Sequence, residues 1–235
     1  MKNFGMNIAD LYAGLMMIFL FVSISMLVEA KQKQTEVEKQ KSEIIKITEG
    51  QNNLRQKIYE DLNLEFKDNL DEWNAVIETD LTIRFQNPDL LFDNGSSDLK
   101  QRYKEILTNF FPRYMKIISN YMTEIHSVSI DGHTSSEGWI GCVGDCSYFR
   151  NMRLSQQRSI NTLKHCWSLA TDADKLFMQG KFVATGLSYS HPVLKRGECP
   201  EGLDGFECNI IDNEKSKRVE FKVKLVSLDF FAKKL

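Results

Sequence analysis

The chain has almost no net charge. Its 30 lysines and arginines stand against 32 aspartates and glutamates, −2 over 235 residues, so nothing in the composition favours nucleic acid as a partner. It also lacks internal repeats and low-complexity tracts, which suits one domain of ordinary size plus an appendage. No Gly-x-Ser-x-Gly nucleophile elbow is present. By residue type alone, a hydrolase would have to use Ser135 or Ser155 with His133 or His165, or a cysteine. No catalytic residues and no covalent chemistry are expected.

Charge is missing altogether between Leu11 and Val28. As a helix, Ile8 to Val28 would rise roughly 31 Å, about the thickness of the hydrocarbon layer. The features of a cleaved signal peptide are also missing. The basic start is Lys2 alone, the apolar core is long, and "LVEAKQK" is a poor cleavage site. The expectation is a retained, single-pass membrane anchor over residues 1–28. Lys2 and the α-amine precede it and Lys31 and Lys33 follow it, so basic residues do not decide the orientation.

The cysteine count is odd: Cys142, Cys146, Cys166, Cys199 and Cys208. Cys166, in the helical pattern "SINTLKHCWSL", reads as a small buried hydrophobe. The other four lie in Gly-rich segments and are candidate disulfide cysteines of undetermined pairing. Their CxxxC and Cx8C spacings fit no common zinc pattern, so no metal is expected. Disulfides would place the C-terminal domain outside the cytoplasm.

From Glu29 to about Leu70 the chain is polar, with no proline and one glycine, Gly50. Val37, Ile44, Ile47, Leu54 and Ile58 fall on a and d positions of one heptad frame, with Gln40, Gln51 and Asp61 in the rest. This weak seam predicts a helical stalk over 29–72 and allows a parallel homodimer. From Trp73 the pattern becomes that of an α/β domain, 73–235, a mixed four-stranded sheet with helices packed on it. "NAVIETDLTIRF" reads as a strand or hairpin, "IHSVSIDGHT", "FVATGLS" and "SKRVEFKVKL" as further strands. One helix is expected from a serine cap at "SSDLKQ", kinked or divided at Pro112. A second covers "YFRNMRLSQQRSINTLKHCWSLA".

One residue is out of place. Asp10 opens the apolar helix, with Ala13, Gly14 and Met17 on its face at i+3, i+4 and i+7. Small residues let a second helix approach closely, and an acid between packed helices, reached by water from one side, can take up and release a cation. Few oxygen ligands besides the Tyr12 hydroxyl lie nearby, which favours a proton over sodium.

"ADLYAGLMMIFLFV" resembles the membrane segment of MotB-type stator subunits, in which the aspartate matching Asp10 binds the translocated ion. "LLFDNGSSDLK", "IDGHTSSEG", "RNMRLSQQRS", "VATGLSYSHPV" and "DNEKSKRVEFKV" occur in the order found in OmpA-like peptidoglycan-binding domains, over residues 74–225. That resemblance implies a peptidoglycan site made by Thr134, Ser135, Asn151, Leu154 and Arg158. The guanidinium would hold a peptide carboxylate bidentately. Ser135 departs from the pattern: an aspartate there helps hold the ammonium of diaminopimelate, and Asp131 or Glu137 would have to substitute. His133 is expected to bond within its loop. The whole is more similar to the ZorB family of Zorya anti-phage defence systems than to flagellar MotB, because the polar stalk follows the apolar helix directly and because of the cysteine-bearing insertions and Ser135. The resemblance implies an inner-membrane protein with a cytoplasmic N-terminus and a periplasmic C-terminal domain. Its partners would be a ring of five ZorA- or MotA-like multi-helix subunits, a second copy of itself and peptidoglycan.

Overall fold

The computed structural model describes residues 8–137, 141–195 and 210–226, with side chains from Leu11 onward except at Pro88. Cys199 and Cys208 lie outside the described residues. The chain divides into two compact units, Met1–Gln51 and Asn52–Leu235.

Helix α1 runs unbroken from Ile8 to Phe66, as the absence of proline allows. Among the described residues it is the one helix long and apolar enough to cross a membrane, with a mean hydropathy of 2.4 over its most apolar window. In the first unit its apolar side chains are uncovered, from Leu11 at 61% exposed to Val28 at 51%. Water cannot be the resting place of such a surface.

The heptad stripe has two fates. Val37 and Ile44 are exposed, whereas Ile58 is buried in the core of the second unit, where Leu62 and Phe66, which lie off the stripe, join it. The last turns of α1 are therefore part of the domain. The compact unit begins at Asn52, earlier than the expected 73, because these residues pack under the aromatic cluster: Phe66 lies 5.1 Å from Phe110 and 5.8 Å from Trp73 between ring centres. Arg113 reinforces this seam, donating to Glu65 and stacking on Phe66 at 4.8 Å.

The short helix α2 (Leu70–Trp73) leads into a hairpin of β1 (Ala75–Ile77) and β2 (Thr82–Phe85). After α3 (Pro88–Leu91) comes α4 (Gln101–Ile118), then β3 (Ile125–Gly132), α5 (Asp145–Leu169), α6 (Asp172–Lys181) and β4 (Phe182–Gly186). The ribbon β5 (Val193–Leu194) with β6 (Ile211–Asp212), the turn of helix α7 (Asn213–Ser216) and β7 (Val219–Leu225) complete the domain. The main sheet has five strands, not four, in the order β1-β2-β7-β3-β4, because the first expected segment folds back as a true hairpin. Among the described residues, only β3 and β4 pair in parallel.

Register sorts the two faces. Ile83, Phe221 and Ile130 align across β2, β7 and β3 and face the helices, while the next row is Arg84, Glu220 and Asp131. Helix α4 covers the apolar face with Tyr103, Ile106, Leu107, Phe110, Phe111, Tyr114, Met115 and Ile118, a 3-1 spacing that marks one buried stripe. Pro112 stays inside this helix without dividing it. Nor is Ser96 its cap: the helix starts five residues later, and the Ser96 hydroxyl instead accepts from the Asp98 backbone N–H in the preceding turn.

Helix α5 meets the sheet differently. Its buried face is polar and small, including Ser147, Ser155, Ser159 and Thr162. It approaches β3 and β4 so closely that a Cβ on Gly132 would overlap Ser155 and Ser159, and one on Gly186 would overlap the Gln156 backbone. Gln156 then bridges the β4 edge, donating to Ala184 O at 3.1 Å and accepting from Gly186 N at 2.7 Å. Gly132→Ala and Gly186→Ala are each expected to cost about 1–3 kcal/mol by overpacking, read as a lowered unfolding midpoint.

Candidate functional site

Close seating of α5 on the two glycines brings two separate sequence blocks together. The loop after β3 starts at His133, and its Thr134 backbone N–H donates to Ser188 O at 2.9 Å. Ser188, fully buried at φ +50°, donates its own N–H to Ser155 Oγ at 3.0 Å. The loop is thus laced to the N-terminal half of α5. Its far end is held by the Cys142–Cys146 disulfide, whose Cα atoms are 5.4 Å apart, within the range such bonds require. Cys166 is the buried free thiol expected of it.

Between this loop, α5, the turn before α4 and α7 lies a cleft of about 640 Å³. All five residues expected at a peptidoglycan site line it: Thr134, Ser135, Asn151, Leu154 and Arg158. Asn151 and Arg158, seven residues apart, share the buried face of α5.

Arg158 is 8% exposed. Its Nε donates to Ser96 O at 2.8 Å and its Nη2 to Asp93 O at 3.3 Å, while the guanidinium stacks on Phe92 at 4.7 Å. Burial lowers its pKa to about 10, so it stays charged at neutral pH. These bonds to fixed carbonyls orient the fork, and among the described residues nothing accepts from Nη1. The Thr134 hydroxyl is buried and likewise has no partner among the described residues. A buried hydroxyl without a partner costs free energy that a ligand's polar group can recover.

The Ser135 departure also has a structural answer. Ser135 Oγ donates to Glu137 Oε2 at 3.0 Å, and Glu137 lines the cleft. Asp131 does not substitute for the missing acid: it points to the opposite sheet face, accepts from Ser129 and pairs with Lys222 at 3.5 Å. Glu137 pairs in turn with Lys217 at 2.8 Å, and Lys217 with Glu214 at 2.9 Å. The hydrogen bond and charge of Lys217 hold the Glu137 pKa below the ordinary carboxylate value. Burial works against the Lys217 ammonium, but Glu137 and Glu214 outweigh it and raise its pKa.

His133 does not bond within its loop. It is 2% exposed, and its Nε2 lies 3.3 Å from Glu220 Oε2 on β7. The serines considered as nucleophiles are engaged elsewhere, Ser155 Oγ donating to Met152 O and Ser135 Oγ to Glu137.

Lys217, Glu214, Asp89 and Asp93 also line the cleft and were not singled out from sequence. Two of the blocks that carry the resemblance, "LLFDNGSSDLK" and "DNEKSKRVEFKV", contain three of them, and Asp89 lies just before the first. At the other end of the chain, Asp10 sits on the first turn of α1. The described side chains begin one residue later, so its contacts lie outside them.

No protein-family model matches the sequence. Among curated proteins, a Zorya protein ZorB from Escherichia coli (strain Crooks) is 39% identical over 220 residues, covering 92% of this chain and 86% of the relative. Solved structures of related shape include the cell wall anchor of the T6SS from Pseudomonas aeruginosa, at 19% identity and TM-score 0.46, covering 70% of this chain and 97% of that one. The periplasmic domain of Helicobacter pylori MotB aligns at 16% identity and TM-score 0.42, over 65% of this chain and 88% of that one.

Proposed function

Because this chain belongs to the ZorB family of Zorya proteins, we propose that it is the MotB-like subunit of an ion-driven membrane complex in anti-phage defence. It binds the translocated cation, a proton, through Asp10 and grips peptidoglycan through the cleft between α5 and the loop after β3. The N-terminus lies in the cytoplasm, α1 crosses the inner membrane, and the disulfide-bearing domain is periplasmic. Its partners are a ring of ZorA-like multi-helix subunits and a second copy of this chain.

One observation carries the wall-binding half. Thr134 and Ser135, from the loop after β3, and Asn151, Leu154 and Arg158, from α5, meet in one cleft. There a stacked, hydrogen-bonded guanidinium and a buried hydroxyl with no partner among the described residues await a polar ligand. A stem-peptide carboxylate matches the exposed side of the Arg158 fork, and a charge-assisted bond of this kind contributes roughly twice a neutral one. Holding the domain to the wall fixes one part of the assembly, so that ion passage at Asp10 moves the other.

Arg158→Ala is expected to cut retention on purified sacculi at least tenfold at equal protein load, consistent with about 1.5–3 kcal/mol for a hydrogen bond to a charged group. Equal retention of the two proteins would remove Arg158 from the site.

A further inference from the structure

The acid that stands in for the missing charge beside Ser135 is already occupied. Lys217 Nζ lies 2.8 Å from Glu137 Oε2 and 2.9 Å from Glu214 Oε1, and all three residues line the cleft. The lysine is held where it is by its backbone. Its N–H donates to Asn213 O and Glu214 O at the end of α7, while Asp212 caps the start of that turn. Lys217 is the less exposed partner, its side chain 23% accessible against 52% for Glu137 and 65% for Glu214. A primary ammonium of the protein itself therefore sits between two of the carboxylates that line the cleft, one of them hydrogen-bonded to Ser135.

We propose that Lys217 is a resident competitor that sets the specificity of the cleft: it occupies the ammonium position, so that the wild-type cleft reads mainly the carboxylate of an amino-acid-like ligand, through Arg158. A ligand bearing both groups gains little from its ammonium, because it must first displace Lys217 from Glu137 and Glu214. The inference rests on the cleft being the ligand site proposed above. The competition is electrostatic and partly solvent-exposed, so its size is modest and falls with salt.

The test uses the full-length protein in detergent and two probes that differ only in their ammonium groups, meso-diaminopimelate and pimelate, with affinities measured by calorimetry at low salt. Wild type is expected to bind the two within about twofold of each other. Lys217→Met, which keeps the apolar stem and removes the charge, is expected to favour meso-diaminopimelate over pimelate by roughly fivefold or more, the size of one exposed ion pair. Lys217→Arg is expected to keep the wild-type ratio. The inference is overturned if Lys217→Met shifts both probes equally or neither, or if neither probe binds. Arg158→Ala reports separately on the site: unchanged binding of both probes would overturn the cleft reading and the inference with it, whereas loss of both supports the cleft, and an unmoved Lys217→Met ratio then overturns the inference alone.

Discussion

Asp10→Asn is expected to abolish protection against phage, with the protein still present at its usual level in the membrane fraction. Asparagine keeps the shape of the side chain and removes its ionisable oxygen. An ionised carboxylate costs about 2.5–3.5 kcal/mol at the centre of an inserting helix and less near its end. The neutral variant therefore enters the bilayer no less readily than wild type, and loss of function cannot be assigned to failed insertion. On the proposed reading, what the variant loses is the ability to gain and release a cation, and with it the ~2.3 kcal/mol that each charge yields per 100 mV of membrane potential. Ala13 and Gly14 follow Asp10 at i+3 and i+4 on α1, and residues this small let a second helix approach closely, as the proposed function requires. Asp10→Glu keeps the charge but pushes it further into that interface, so partial protection is expected. Plaquing efficiency on cells expressing each variant decides the matter. Full protection by Asp10→Asn would leave only a passive wall tether.

The apolar helix and most of the strands were legible because each rests on a local signal: eighteen residues without charge, or alternation bounded by turns. The five cleft residues were legible through a resemblance in motif order, and the structure places them together. Other features are not local. The last turns of α1 look like stalk in sequence, since nothing in "NNLRQKIYEDLNLEF" says that Ile58 will be buried in the core or that Phe66 will meet Phe110 more than forty residues on. Helix α5 shows little hydrophobic periodicity because the face it buries is mostly serine, threonine and asparagine, with Arg158 and Cys166, packed against backbone at Gly132 and Gly186. Lys217 reads as one charge in a charged run, and only the fold shows that it closes on Glu137, eighty residues earlier. Glu220 gives the least warning of all. In "KRVEFKVK" it alternates with apolar residues as a solvent-facing strand position does, yet it is 2% exposed.

Glu220→Ala should accordingly be the most destabilising polar truncation in the domain. Glu220 Oε1 accepts from Arg84 Nε and Arg218 Nε, both at 2.7 Å, and Oε2 lies 3.1 Å from Lys222 and 3.3 Å from His133. Arg218 is pinned further by His191 O and Ser216 O, and Arg84 by Glu78. Removing the carboxylate leaves two largely buried guanidinium groups without their shared counter-charge. Breaking a buried pair in this way costs about 3–5 kcal/mol, a fall in melting temperature of roughly 10 °C for a domain of this size. The same cluster sets the acid limit of the fold. Burial by itself would raise the Glu220 pKa, but His133 and Arg218 outweigh it and hold the pKa far below the usual carboxylate range. Such a depressed carboxylate stabilises the fold above its unfolded-state pKa of about 4.3, and that contribution drains away as pH falls below it. His133 acts in the same direction for a different reason. Burial, assisted by the charge of Arg218, lowers its pKa despite the opposing pull of Glu220. Its unfolded form takes up a proton more readily as pH drops below about 6.5, and stability begins to fall there. Thermal unfolding of the full-length protein in detergent should therefore show a plateau above pH 7, a shallow decline from about 6.5 and a steeper one below about 4.3. Glu220→Ala should lower the plateau and flatten the steep limb, because the group that titrates there is gone. An unchanged steep limb in that variant would assign the acid sensitivity to other carboxylates.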